Sequence, residues 1–224
     1  MMERPNTYGQ YCPIARALEV LGERWSLLII RDMLVGATRF NDIARGLPGL
    51  SRSLLSKRLQ QFEKEGLVDK VGLEYLLTPA GRDLKPVVFG IGAWGAKWTF
   101  EDPRVEELDS ELLVWWIHTR LNIDDLPGHR QVFHFRFSDD PKLFWIVVEN
   151  GVPSVCMDDP GYEIQMTLST DVGTLYRVWE TRIGLHDAIR SGDLVVTGQR
   201  AYTRRLSQIL QFSPVAPIVG ASNL

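Results

Sequence analysis

Cysteine is nearly absent from this chain. Two thiols, Cys12 and Cys156, serve 224 residues, far apart and in no paired spacing. A disulfide framework is therefore excluded as the organiser of the fold, and a reducing compartment is the default. The four histidines are scattered, with no His-x-x-x-His and no Cys pair, so no metal constellation is present. G-x-S-x-G is missing as well, which leaves hydrolase chemistry without a foothold. No apolar run approaches the ~18–20 residues of a membrane span, and the opening MMERPNTYGQYCP lacks the apolar core of a signal segment. The expectation is a cytoplasmic protein without membrane association, cofactor, metal or catalytic group. Neither an internal repeat nor a low-complexity segment is visible.

Excess charge is also lacking, at a formal net of −3, but the average hides a split. Residues 1–100 hold 14 basic against 10 acidic side chains, a surplus of four; the remaining 11 basic and 18 acidic leave a deficit of seven. A mildly basic front and an acidic back place any nucleic-acid contact at the front.

From Pro13 to Leu34 apolar residues recur at helical spacing in two stripes, Ile14/Ala17/Leu18/Leu21 and Trp25/Leu28/Ile29/Met33, with Gly22 between. Thr38 is expected to cap a short third helix holding Phe40, Ile43 and Ala44, which Gly46 and Pro48 end. A fourth helix runs from Ser51 to about Glu65. After Gly66 come a strand, LVDKV, a tight GLE turn, a second strand, YLL, and a further helix begun by Thr78-Pro79. Helices followed by a two-stranded ribbon make a winged helix.

The fourth helix carries the functional reading. Ser51 is a suitable N-cap, accepting from free first-turn amides. At about 100° per residue, Leu55, Leu59 and Phe62 form the core stripe. Ser53, Lys57 and Gln60 lie opposite, Ser56 and Gln61 flank them, and Arg52 and Arg58 sit at the margins, where long side chains reach phosphates. Small hydroxyls allow close approach to a groove, while Lys and Gln can read base edges. A polar outer face is common to surface helices. Here it is basic and small at its start, Glu63 and Glu65 are confined to its far end, and a ribbon follows at once.

The run CPIARALEVLGERWSLLIIRDMLVGATRFNDIARGLPGLSRSLLSKRLQQFEKEGLV, followed by YLLTPAGRDLKPVVFGIGAWGAKW, resembles the HxlR-type (MarR-like) winged helix-turn-helix transcriptional regulators. The resemblance covers roughly residues 8–98, with CPI, G-x-[KR]-W, RF-x-x-I, GLS, GLV and LTPAG in order. It implies a homodimer on a pseudo-palindromic operator in double-stranded DNA, with helices from both domain ends at the dimer interface. By position, it implies that Arg39, Arg52, Ser53, Ser56, Lys57 and Arg58 face DNA. The wing departs from the pattern: it is short, and Lys70 is its one basic residue, which shifts recognition towards the helix.

Two features nearby admit other readings. Gly90, Gly92 and Gly95 spell the dinucleotide pattern G-x-G-x-x-G, but the stripe Leu84, Val88, Ile91, Trp94 and Trp98 continues straight through them, and Pro103 leaves little room for the helix a phosphate loop needs. Close helix approach is the expected use of these glycines. Cys12 stands where the resembled family often carries a cysteine. A redox or electrophile sensor and a half-buried thiol at a helix start both remain open for it.

The acidic segment 99–111 is a linker or cap, and Leu112–Leu121 a partly buried helix. Then the period becomes two. QVFHFRF puts Phe133, Phe135 and Phe137 on one face, Asn150-Gly151 signals a hairpin after LFWIVV, and VPSVCM and YEIQMTL continue. Asp-Asp pairs at 124–125, 139–140 and 158–159 each precede a proline; turn chemistry accounts for them better than catalysis. Helices through Leu175, Val178 and Trp179 and near 186–190, a strand LVVTG and a final helix from about Ala201 to Phe212 complete the chain. This order, with G-D-L-x-V-x-G at 192–198, resembles the sterol-carrier-protein-like fold. That resemblance implies a sheet and helices around a cavity for a small apolar ligand, with Phe144, Trp145, Leu175 and Trp179 as candidate lining, although core packing would also use them.

The sequence thus predicts an α+β protein: an N-terminal winged helix-turn-helix domain over 1–100 and a sterol-carrier-like α+β domain over 101–224. A dimeric DNA-binding regulator is expected, with Arg39, Ser51, Arg52, Ser53, Ser56, Lys57, Arg58, Gln60 and Lys70 at DNA. The alternative is a protein–protein or lipid-binding module without specific DNA binding, which the short wing would suit. An enzyme would need an acid/base pair, and none is found.

Overall fold

Pro13 opens the first helix, where its missing amide has no intrahelical partner to lose. The computed structural model, which describes residues 7–124, 126 and 128–222, forms α1 over Pro13–Leu21, closed by the Gly22 N–H on the Leu18 carbonyl. Trp25, in left-handed backbone at φ 78°, turns the chain into α2 (Ser26–Leu34). Then come α3 (Phe40–Gly46) and α4 (Arg52–Lys64). Ile29, Ile30, Ile43, Leu55, Leu59 and Phe62 are fully buried among these helices. At about 1.5–3 kcal/mol for each such side chain, this small core holds α2, α3 and α4 together.

Gly66, at φ +72°, ends α4 and leads into β1 (Val68–Val71), paired antiparallel with β2 (Glu74–Leu77). Thr38 does not cap α3, as its position suggested. Its hydroxyl donates to Glu74, its carbonyl accepts from the Tyr75 N–H, and Arg39 takes the N-cap position without a side-chain bond. The ribbon thereby gains a one-residue third edge at Arg39, bridged to Glu74. Thr78 does cap α5 (Pro79–Arg82), accepting from the Gly81 N–H and donating to the Gly66 carbonyl. A Cβ at Gly81 would stand 2.2 Å from the Leu67 carbonyl oxygen, so that contact admits glycine alone. α6 (Lys85–Trp98) follows, with all three glycines of the G-x-G-x-x-G pattern inside it.

The chain divides into two compact units, Met1–Ile91 and Gly92–Leu224. In the second, a 3-10 turn (Val105–Glu107) precedes α7 (Ser110–His118), which Asp109 caps. The strands are β3 (Arg130–Phe137), β4 (Leu143–Glu149), β5 (Val152–Cys156), β6 (Met166–Thr170) and β7 (Val195–Gly198). They form one sheet in the order β5-β4-β3-β6-β7, antiparallel except for β3 beside β6. α8 (Val172–Trp179) and α9 (Leu185–Ser191) connect β6 to β7; α10 (Arg200–Thr203), α11 (Leu206–Ile209) and α12 (Ala216–Ser222) follow. The single helix expected over 201–212 is two short helices separated at Arg204–Arg205, and it ends early, at Ile209, because Leu210 leaves to bridge Leu121, while the Ile209 carbonyl accepts from Asn122.

Phe133, Phe135 and Phe137 share one face of β3, as their spacing requires, and pack with Ile146, Leu168, Leu113, Ile117 and Val178. Asn150 and Gly151 both take positive φ (52° and 76°) and close the β4–β5 hairpin. The Asp pairs serve turns and caps: Asp139 accepts from the Val172 N–H, Asp140 from Lys142 and Ser110, and Asp159 from Gly161. Of the first pair, Asp125 and the neighbouring Pro127 lie outside the described residues.

One buried carboxylate in α2 gives the fold a pH dependence. Asp32 is 6% exposed; its Oδ1 accepts from Arg31 and its Oδ2 has no partner. Burial, opposed by Arg31, raises its pKa from 3.8 to about 6. Between those values the unfolded chain has released a proton that the fold retains, so this carboxyl's contribution falls as pH rises from about 4 to 6 and stays low above. Asp32→Asn is expected to stabilise the fold by on the order of 1–3 kcal/mol at pH 7 and by little at pH 4. Urea denaturation of both chains at the two pH values measures the difference.

Candidate nucleic-acid interface

Ser51, at φ −67° and ψ 144°, accepts from the Leu54 N–H at 3.3 Å and lies 3.2 Å from the Ser53 hydroxyl, so the start of α4 is capped by the side chains it exposes. Leu55, Leu59 and Phe62 point into the core, while Arg52, Ser53, Lys57 and Gln60 are exposed and Ser56 is half-buried. Arg52 is held in place: Nη1 donates to Asn41 Oδ1 at 2.8 Å, and the guanidinium lies 5.9 Å from the centre of the Phe40 ring. The first turns of α3 and α4 thus meet at one cation. Arg39 is exposed beside them, at the edge of the ribbon. Lys70 is exposed on β1, its Nζ 5.3 Å over the Tyr75 ring.

Arg58 does not belong to this surface. It is 7% exposed; Nη2 donates to Glu23 Oε2 at 2.7 Å and Nη1 to Gln61 Oε1 at 3.1 Å. Its step along α4 puts it beside Leu55 and Phe62, turned towards the corner that follows α1. It is a strut rather than a DNA contact. Arg58→Ala is expected to destabilise the fold by roughly 1–3 kcal/mol, less than a fully enclosed pair would lose because Glu23 reaches water. Lys57→Ala is expected to stay within about 0.5 kcal/mol. Urea midpoints of the two variants check the contrast. The roles of Glu23, Phe40 and Asn41 are not legible in the sequence, because they arise only from the meeting of separate helices.

The four residues considered for an apolar pocket do not line one together. Phe144, Leu175 and Trp179 are at most 2% exposed and belong to the packed core between the sheet and its helices. Trp145 follows Phe144 in β4 and so faces the other side, with Val132 and Val147. None of the described cavities is lined by any of the four. Cys12 occupies the N-cap position of α1, partly exposed, with no side-chain capping bond; both cysteines are free. Gly90, Gly92 and Gly95, being helical, build no phosphate loop. No described group of three or more His, Cys, Asp or Glu side chains is placed to hold a metal.

The model of the HxlR-like helix-turn-helix family matches residues 20–103. YvaP of Bacillus subtilis, an uncharacterised HTH-type transcriptional regulator, is 37% identical over 98 residues, which are 40% of this chain and 91% of YvaP. The chain belongs to the HxlR-like family. A second HTH-type relative, Rv3095 of Mycobacterium tuberculosis, is 44% identical over 89 residues, 37% of this chain; the match spans just over half, 56%, of that protein. Among solved structures, quinone-bound YodB from B. subtilis is 34% identical, with 39% of this chain and 99% of YodB covered and a TM-score of 0.36. The HxlR-type segment contains the whole of α4 and the surface around Arg52.

Proposed function

We propose that this HxlR-type protein is a dimeric transcriptional regulator that binds a pseudo-palindromic operator in double-stranded DNA through α4. The observation that carries this reading is the exposed face of α4, where Arg52, Ser53, Lys57 and Gln60 are exposed and Arg52 is held in advance by Asn41 and Phe40. Small and amide side chains can approach base edges there, and the two cations can engage phosphate or guanine. Ser51, Ser56, Arg39 and Lys70 border the surface. That the relatives are named as HTH-type transcriptional regulators supports the reading. Exposed apolar stripes on α1 (Ile14, Leu18) and α6 support a homodimer, because a solvated helix gains nothing from them.

The C-terminal unit, with its helices packed over one face of a five-stranded sheet, suits a sterol-carrier-like effector domain for a small apolar ligand. Such a ligand would act by favouring one dimer geometry over another. A second reading, a protein- or lipid-binding module without specific DNA contacts, draws on the wing, where Val71 and Leu73 are exposed and Lys70 is the one cation. Fluorescence anisotropy with DNA from upstream of the chain's own gene tests both. Sequence-specific binding that weakens steeply with salt supports the regulator; no binding at low salt removes it and leaves the second reading. Mass spectrometry of the purified protein under native conditions tests for an apolar ligand. A change in DNA affinity on oxidation that Cys12→Ser abolishes would assign Cys12 a sensor role, and an unchanged affinity would remove it.

A further inference from the structure

The sheet of the C-terminal unit has two faces, and the helices occupy one. The segment 157–165 leaves β5 at one edge and enters β6 beyond both β4 and β3, so it must cross the sheet, and its partners place it on the other face. Two contacts and one longer-range charge effect trace its path. Asp159 acts electrostatically on His134, Tyr162 lies under the Arg130 guanidinium at 3.9 Å, and Gln165 Oε1 accepts from the Val132 N–H. The strap is tied at its far end, where Glu163 accepts from Gln199 and the Gln165 N–H donates to the Val132 carbonyl, but Met157, Tyr162 and Ile164 remain 46%, 44% and 36% exposed, and it bends at Pro160-Gly161, where Gly161 takes φ +71°.

Beneath it, on adjacent strands, the His134 and Trp145 rings stack face to face, with centroids 4.7 Å apart and planes within 5°. Trp145 is 95% buried, yet its indole N–H has no hydrogen-bond partner; His134 Nε2 is likewise enclosed and unpartnered. Leaving one buried donor unsatisfied costs about 1–3 kcal/mol, and two neighbouring ring nitrogens double the demand for a partner. Burial, aided by Arg136 and opposed by Asp159, lowers the His134 pKa, so at neutral pH its imidazole is uncharged and can either give or take a hydrogen bond.

We propose that the outer sheet face beneath the 157–165 strap is a binding site for a small flat aromatic molecule bearing a hydroxyl or carbonyl oxygen. The oxygen accepts from the Trp145 indole N–H and meets His134 Nε2 at the edges of the two rings, while the ring lies against Val147 and Val132. The strap lifts at Gly161 to admit it. This site lies on the opposite side of the sheet from Phe144, Leu175 and Trp179, and it does not depend on the DNA-binding reading.

Phenol is the simplest probe, since one hydroxyl can donate to His134 and accept from Trp145. The chain has seven tryptophans, so its indole N–H resonances can be followed singly while phenol is added to the full-length protein. A saturable shift of one resonance in the millimolar range, with that resonance missing from Trp145→Phe, is the expected result. No saturable indole shift, or a shift that persists in Trp145→Phe, overturns the site. Should Trp145→Phe fail to fold, His134→Phe decides: about a 2- to 10-fold loss of phenol affinity supports the site, and unchanged affinity overturns it. Tyr162→Ala, which frees the strap from Arg130, is expected to raise the affinity; a fall would contradict an opening strap.

Discussion

Arg52→Ala and Lys57→Ala are each expected to weaken operator binding by about 5- to 150-fold, the range of a lost base or charge-assisted contact worth roughly 1–3 kcal/mol. The two should differ in kind. Arg52 sits on the first turn of α4 with its guanidinium fixed by Asn41 and Phe40, so little side-chain freedom is lost when it meets DNA. Its loss is expected to relax preference at one base position per half-site. Lys57 has no such support. If it meets phosphate, Lys57→Ala lowers affinity evenly across sequences and reduces the slope of log K against log salt by about one. Anisotropy titrations at three salt concentrations, on the operator and on single-base variants, separate these outcomes. Asn41→Ala frees Arg52 without removing it and should fall between wild type and Arg52→Ala. Equal affinity of all three variants and wild type would take α4 out of the interface.

The contrast between Arg52 and Arg58 marks how far the sequence could be read. At about 100° per residue, the two lie roughly 60° to either side of the Leu55–Leu59–Phe62 stripe, and nothing within the helix distinguishes them. What separates them is where other helices place their polar groups: Glu23 stands 35 residues from Arg58, and Asn41 stands 11 from Arg52. Local periodicity sees neither. The same limit hid Thr38, whose hydroxyl the wing claims through Glu74. Where the cause was local, the sequence was legible. Ser51, Thr78 and Asn150-Gly151 act as their chemistry requires, and the alternating phenylalanines of β3 enter one core. Trp145 is a different case. The period of two already places it opposite Phe144, so grouping them in one pocket overlooked a rule that the sequence itself supplies. Strand order, which sends the 157–165 strap across the outer face, depends on pairing between distant segments and was not legible.

Trp94→Glu is expected to have the second large effect, through assembly. Along α6, Val87, Ile91, Trp94 and Trp98 are 47%, 51%, 62% and 65% exposed, at the i, i+4, i+7, i+11 spacing of one helical face. A helix that leaves two tryptophans this open calls for another surface to cover them, and a second copy of the same stripe would bury like against like. Central tryptophans in such interfaces are worth at least about 2 kcal/mol, and a carboxylate in their place adds the cost of a buried charge. Light scattering should report twice 25.5 kDa for the parent, as the proposed dimer requires, and 25.5 kDa for Trp94→Glu. The circular dichroism spectrum should be unchanged, because the side chain is exposed within the protomer. DNA affinity should fall with the dimer, by on the order of 10²- to 10⁴-fold, since a monomer loses the high local concentration that the first half-site gives the second. This loss differs from that of Arg52→Ala: raising the protein concentration until the dimer re-forms restores binding to Trp94→Glu, whereas the missing contact of Arg52→Ala stays missing at any concentration.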